Sequence, residues 1–352
     1  MSVTPGRLLG ALPPAAPPTR AQRAAFRRYL MLWRTVEALP EPVVRRLPAT
    51  LGRAWARFAP ARQRDQLTAN LARVLRVADP TAVVAGEPPA TLVEEAFVSY
   101  ARYWVDAFRL HRMDVARVTR EATSVGLHHV DAMRDSGRGG ILATAHLGSW
   151  DVGALWSSHR RWGMVVVAEV VEPRRLFERF VDLRVQAGLD VIPLVRGAPM
   201  LDALEGSVAD GGLATLLADR DLTRRGPIVD FFGEPCRLPP GTAALARRTG
   251  RPVATGAFLT AGDRYHGVVL DPVDVADLDV YDGTQQVAHR LQELIALAPT
   301  QWHVLVPNWL ADREPDHPVV AAWRAGDDWR ALARAAWRDE AAADRRAAQD
   351  GP

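Results

Sequence analysis

From residue 139 onward the chain alternates short apolar runs with stretches of helical period, and nothing else in it restricts the fold as strongly. Apolar runs fall at 141–145, 164–171, 189–195, 212–218, 227–232, 252–259 and 265–270. Helical patterns separate several of them, near 150–160, 174–187, 199–209 and 241–249. A parallel strand covered by helices on both faces reads as a nearly continuous apolar run. The alternation therefore predicts an α/β fold, a mostly parallel central sheet flanked by helices on both faces. A further helix is expected near 284–298, with Val287, Leu291, Leu294 and Ile295 on one face. The 352 residues are enough to bury one sizeable core.

The chain ahead of this alternation differs in kind. Residues 1–20 are rich in Pro, Ala and Gly and are predicted to be a disordered tail. Residues 21–64 read as helices broken at Pro40, Pro42, Pro48 and Pro60, with arginines among Phe26, Tyr29, Leu30, Leu32, Trp33, Leu51, Trp55 and Phe58. Such a mixture suits a basic amphipathic helical segment on a membrane surface, with Trp and Leu at the acyl boundary and Arg at phosphates. The alternative is a helical pair packed on the body with a solvated arginine face. All 44 basic residues are arginine, and residues 1–64 hold 12 of them against Glu37 and Glu41, a net +10 that leaves −7 on 65–352. A basic front on an acidic body points to an anionic membrane surface as partner, with no nucleic acid expected. Residues 65–312 form the expected α/β body and 313–352 a helical tail carrying Trp323, Trp329 and Trp337. Residues 91–110 have helical spacing, and their apolar face belongs to the core or to an apolar groove. No run of eighteen apolar residues occurs, so no transmembrane helix is expected. No signal-peptide pattern opens the chain, and the lone Cys236 fits a reducing cytoplasm.

Candidate chemistry sits in "ILATAHLGSWDVGALW", residues 141–156. His146 is the first polar residue after a five-residue apolar strand, and ligands of open α/β sheets bind at such strand ends. A turn at 147–149 followed by a helix from Trp150 brings Asp151 within reach of His146, where it would orient the imidazole and leave its other nitrogen as a base. A surface histidine beside an aspartate that favours a helix start remains the alternative. Ser149 stands in a strand–turn–helix, but not in the Gly-x-Ser-x-Gly pattern of a nucleophile elbow. Without lysine there is no Walker A loop and no Schiff-base amine, and dinucleotide and zinc signatures are absent.

Three blocks together carry a family likeness: "AHLGSWDVGA", then "LLADRDLTRRGPIVDFFGEPCRLPPGTAALARRTGRPV" at 216–253, then "PTQWHVLVPNW" at 299–309. With them the chain, over roughly 25–312, resembles the bacterial lipid A biosynthesis acyltransferase superfamily, most of all its phosphatidylinositol mannoside acyltransferase branch. The resemblance implies transfer of a long-chain acyl group from acyl-CoA to a sugar hydroxyl of a glycolipid acceptor. It also implies peripheral location at the cytoplasmic face of the plasma membrane and catalysis without a cofactor. His146 then takes the role of general base and Asp151 that of its orienting carboxylate. Acceptor-binding roles fall on Glu169, on Arg184, and on an acidic residue that matches Asp219 or Asp221; the mannoside branch often has Glu at the first of these. A monomer is expected. The acyl chain needs an apolar tunnel, since each CH₂ removed from water contributes about 0.8 kcal/mol. Leu142, Leu155 and the 91–110 helix are candidates for its wall. Related transferases with another lipid acceptor or an acyl carrier protein donor, and a lipid esterase or thioesterase, are the alternatives.

Overall fold

In a computed structural model, which describes residues 5–10, 12, 14, 17–83, 85–195 and 199–349 (backbone only for 341–349), the apolar runs become strands. They are β2 (Gly140–Thr144), β3 (Met164–Glu169), β4 (Asp190–Leu194), β5 (Leu213–Leu217), β8 (Val253–Ala261) and β9 (Arg264–Val273). A short strand, β1 (Thr123–Val125), adds an edge that the apolar pattern does not reveal. The seven-stranded order is β1-β9-β8-β2-β5-β3-β4. The pairings around β2, β5 and β3 are parallel, whereas β8 and β9 form an antiparallel hairpin. The run expected at 227–232 does not join this sheet. It forms β6 (Ile228–Phe231), which pairs only with β7 (Glu234–Arg237) in a separate antiparallel ribbon.

Helices cover both faces, as the alternation predicts. On β2, Ile141 and Ala143 face one core with α3 (Ala61–Ala78), α9 (Met200–Ala209), α10 (Gly241–Thr249) and α11 (Val280–Ala296). Leu142 faces the other with α6 (Leu127–Asp135) and α7 (Trp150–His159). All five residues of β2 are buried, which is why its sequence does not alternate. Further helices are α5 (Val115–Glu121), α8 (Arg174–Gln186) and α12 (Leu310–Arg313). Both ends of the expected body fall inside helices, α3 running across 64/65 and α12 across 312/313.

The N-terminal helices α1 (Arg20–Ala38), α2 (Glu41–Phe58) and α3 are docked on α4 (Ala90–Arg109). Pro40 and Pro60 stand at helix starts and Pro42 in a first turn, but Pro48 lies inside α2 without ending it. Gly52 lets α2 approach α4 closely, because a Cβ there would lie 2.3 Å from the Val98 backbone. Arg109 of α4 donates to the last carbonyls of α1, at Val36, Glu37 and Leu39. Trp33, expected at an acyl boundary, is instead a core residue at 1% exposure, packed on Phe108 and Phe180. Trp55 is half-buried against Tyr100. What α1 and α2 leave outside is Met31, Leu32, Val43, Leu51 and Phe58, the last 81% exposed, among arginines.

Within the stretch 1–20, residues 6–9 have partners on the body. Backbone bonds link Leu9 to Val191 and Val191 to Arg7, and Arg7 pairs with Asp190, so this stretch lies along the free edge of β4. An edge strand offers unpaired backbone groups, and this segment satisfies some of them. Residues 1–4, 11, 13, 15 and 16 of that tail, like 350–352 at the other end, lie outside the described residues. At the C-terminus α13 (Pro318–Ala325) and α14 (Trp329–Gln349) fold back over the β6–β7 ribbon. Val319, Val320, Trp329 and Ala333 there bury Ile228 and Leu310. Among the described residues no helix is long and apolar enough to cross a membrane.

Candidate active site

Parallel pairing puts Thr144 of β2 beside Leu217 of β5. Two residues beyond each strand end, His146 and Asp219 are therefore neighbours. The His146 backbone N–H donates to Asp219 Oδ2 at 2.9 Å, and its Nδ1 lies 2.9 Å from Oδ1. Trp302 Nε1–H also donates to Oδ2, at 2.7 Å, and Asn308 donates to the Asp219 carbonyl. Asp219 is fully buried. Burial alone would raise its carboxyl, but the charge and hydrogen bonds of His146, with Trp302, outweigh it and hold the group below the usual carboxylate range. Asp219 Oδ1 thus holds the Nδ1 side of the ring, and among the described residues Nε2 has no hydrogen-bond partner.

This is the arrangement expected of a base, with a different carboxylate. Asp151 does not hold His146. It begins α7 and turns the other way, accepting from Tyr103 OH at 2.9 Å and pairing with Arg184 Nε of α8 at 3.0 Å. Burial would lower the Arg184 guanidinium, but Asp151 raises it. Tyr103, stacked on Trp150 at 3.8 Å, is pushed well above its ordinary value by burial first and Asp151 second. The Trp150 ring in turn lies edge-on to His146 at 5.5 Å. The hydrogen-bonded pair His146–Asp219 and the ion pair Arg184–Asp151 thus lie to either side of one aromatic cluster.

The loop that separates them is pinned on each residue. Gly148 donates to the Gln301 carbonyl, and Ser149 N–H to the Phe258 carbonyl. Gly148 has φ +65°, and a Cβ there would come 2.3 Å from the Phe258 oxygen, so the turn requires glycine. Ser149 is buried, and its hydroxyl donates to Asp106 of α4 at 3.0 Å, which also accepts from Tyr265. Among the described residues no imidazole is hydrogen-bonded to Ser149, so the histidine half of a serine nucleophile's usual activation is missing there. Cys236 is buried and its thiol is pushed up by burial, the opposite of an activated nucleophile.

Of the other candidates, Glu169 ends β3 and is exposed, one strand over from Asp219. Asp221 points away from His146. It accepts from Thr223 N–H, Thr223 Oγ1 and Gly226 N–H, and so ties up the 221–226 loop. His303 was not singled out in the sequence. Its backbone N–H donates to the His146 carbonyl, its Nε2 meets Ser99 Oγ at 2.9 Å, and its Nδ1 has no hydrogen-bond partner. Burial, with His146 second, pushes its pKa down to about 3, so it is neutral at physiological pH. The "QWHV" string held the signal, since Trp302 and His303 both touch the His146–Asp219 unit.

Beside Trp150 and the Asp151–Arg184 pair a cavity of about 290 Å³ opens. Its deep wall is apolar, from Leu142, Trp156, Trp162, Met164 and Phe258, and Asp151, Glu169 and Arg184 line it as well. Leu142 and two residues of α4, Tyr103 and Trp104, line it as anticipated, whereas Leu155 does not. Such a space suits an apolar chain whose polar end meets charged groups.

The profile of a family described as bacterial lipid A biosynthesis acyltransferase matches residues 19–311. The chain is 39% identical over 287 residues to a phosphatidylinositol mannoside acyltransferase of Mycobacterium tuberculosis, covering 81% of this chain and 88% of that one. It is 38% identical over 291 residues to the protein of the same name from Mycolicibacterium smegmatis, covering 81% and 91%.

Proposed function

The chain belongs to the bacterial lipid A biosynthesis acyltransferase family, and on that premise we propose that it moves a long-chain fatty acyl group from acyl-CoA to a sugar hydroxyl of a phosphatidylinositol mannoside. One observation carries the mechanism: His146 is held at Nδ1 by buried Asp219, and the Trp150 ring that lies edge-on to it lines an apolar cavity. A sugar hydroxyl is a poor nucleophile at neutral pH. Nε2 takes its proton as the oxygen attacks the thioester carbonyl. Asp219 stabilises the imidazolium that forms, without taking the proton. The C–S bond then breaks, and the proton on Nε2 passes to the departing CoA sulfur. The acyl chain occupies the cavity walled by Leu142, Trp156 and Phe258. Asp151, Arg184 and Glu169 hold the acceptor sugar, whose hydroxyls suit charged hydrogen-bonding partners. Transfer is direct, and as written the steps require no metal or organic cofactor. The protein works as a monomer at the cytoplasmic face of the plasma membrane. It rests there on the outward side of α1 and α2, where Met31, Leu32, Leu51 and Phe58 stand among arginines.

The test is incubation of the purified protein with palmitoyl-CoA and a panel of mannosylated inositol lipids, read by mass spectrometry. Acylated glycolipid should accumulate in step with free CoA, and only with acceptor present. CoA release that ignores the acceptor would make the protein a thioesterase instead.

A further inference from the structure

A second cavity, of about 530 Å³, opens at the same edge of the sheet, lined by Arg62, Arg220, Arg224 and Arg313 with Glu169, Asp221 and Asp312. Its carboxylates are mostly committed. Asp312 is paired with Arg73 at 2.6 Å, and Asp221 is buried in its own loop. Arg313 donates to the Asp221 carbonyl. Arg62, Arg220 and Arg224, by contrast, make no hydrogen bond or ion pair among the described residues. Three uncommitted guanidinium groups around one cavity give it a positive potential, and their planar donors match phosphate oxygens. The place matters as much as the charge. Arg220 directly follows Asp219, and Glu169 lines both this cavity and the apolar one, so the cavity stands next to the His146–Asp219 pair in the chain and shares a wall residue with the apolar space. We propose that this cavity binds a phosphate group of a bound substrate, setting the distance between that phosphate and the reacting carbon. The proposal rests on the transfer reading above, in which both substrates carry phosphate: CoA a diphosphate and a 3′-phosphate, the glycolipid a phosphodiester.

The test uses the double variant Arg62→Gln/Arg224→Gln, which spares Arg220 beside the catalytic carboxylate. Inorganic pyrophosphate should bind the wild type in calorimetry and bind the variant on the order of tenfold more weakly, with Arg62→Lys/Arg224→Lys recovering part of the loss. Kinetics then identify the source. If the phosphate is the donor's, KM rises on the order of tenfold for palmitoyl-CoA and stays unchanged for palmitoyl-pantetheine. If it is the acceptor's, KM rises for the phosphate-bearing glycolipid and not for methyl mannoside. Equal pyrophosphate affinity in wild type and variant would overturn the site, as would KM changes indifferent to phosphate. A wild type that binds pyrophosphate through these arginines yet acylates no acceptor would refute the transfer reading and leave the phosphate site standing.

Discussion

His146 and Asp219 act as one unit, so their variants should fail alike. His146→Ala should lower acyl transfer by about 10²–10⁴-fold, and Asp219→Asn by a similar factor, because the imidazole loses its tautomer and its counter-charge together. Asp151→Asn should instead raise KM for the acceptor and lower stability, since it strands the half-buried Arg184. Steady-state kinetics on the three variants separates these outcomes, and an Asp219→Asn enzyme with wild-type turnover would refute the assignment. His303 gives a second signature. Its folded pKa, about 3, lies below the unfolded value near 6.5, so the unfolded chain takes up a proton that the folded one refuses. The stability this site confers is complete above about pH 6.5 and is lost as pH falls towards 3, at up to about 1.4 kcal/mol per unit. Urea midpoints measured between pH 7 and 4 should fall less steeply for His303→Gln. The sequence made His146 legible because an apolar run ends on it. Asp219 as its partner was not legible, because that contact depends on β2 and β5 being neighbours, and strand order leaves no trace in local spacing. Asp151 stood nearer in sequence, but α7 begins between the two residues and carries its side chain towards α8.

The central strands of the sheet were readable because β2 and β5 are buried on both faces and so appear as unbroken apolar runs, whereas the exposed edge strand β1 left no such run. The β6–β7 ribbon escaped that rule: β6 has the same composition as a sheet strand, but it pairs only with β7, its Val229 and Phe231 packing into the main core and its Ile228 against the C-terminal helices. Likewise α1 and α2 have the periodicity of surface helices, and only packing decides which aromatic goes inward. Trp33 does, beside Phe108, whereas Phe58 does not. This sorts the expected effects of substitution. Leu51→Ser with Phe58→Ser should weaken sedimentation with phosphatidylinositol-containing vesicles several-fold and leave the melting temperature nearly unchanged, because both side chains already face water. Trp33→Ala should do the reverse, with about 3–5 kcal/mol lost on unfolding. Vesicle binding unaffected by the Leu51 and Phe58 changes would move the membrane contact elsewhere. Gly148→Ala should abolish activity through the loop alone, as its Cβ has no room.

Across the whole molecule, basic charge gathers in the N-terminal helices and the candidate chemistry at the carboxyl ends of neighbouring strands. Twelve arginines lie in residues 1–64, and His146, Asp219 and Glu169 stand at the carboxyl ends of three adjacent parallel strands. Opposed to this is the clasp at the C-terminus, which reaches past the family match at 311. There Arg237 of β7, nearly buried, pairs with Glu314 and with Glu340 of α14, and Arg237 also donates to the Gly226 carbonyl. Trp329→Ala should cost about 3–5 kcal/mol on unfolding while sparing turnover below the melting range, because its cluster includes no residue around His146. A thermal melt beside an assay at low temperature checks both halves. The clasp also sets a timetable. Ile228 is synthesised roughly a hundred residues before Trp329, an interval on the order of 5–20 s at ordinary elongation rates. Until then Ile228 lacks the cover that Val319, Val320 and Trp329 give it in the folded chain, so its side of the ribbon closes after the side that Val229 and Phe231 turn to the main core.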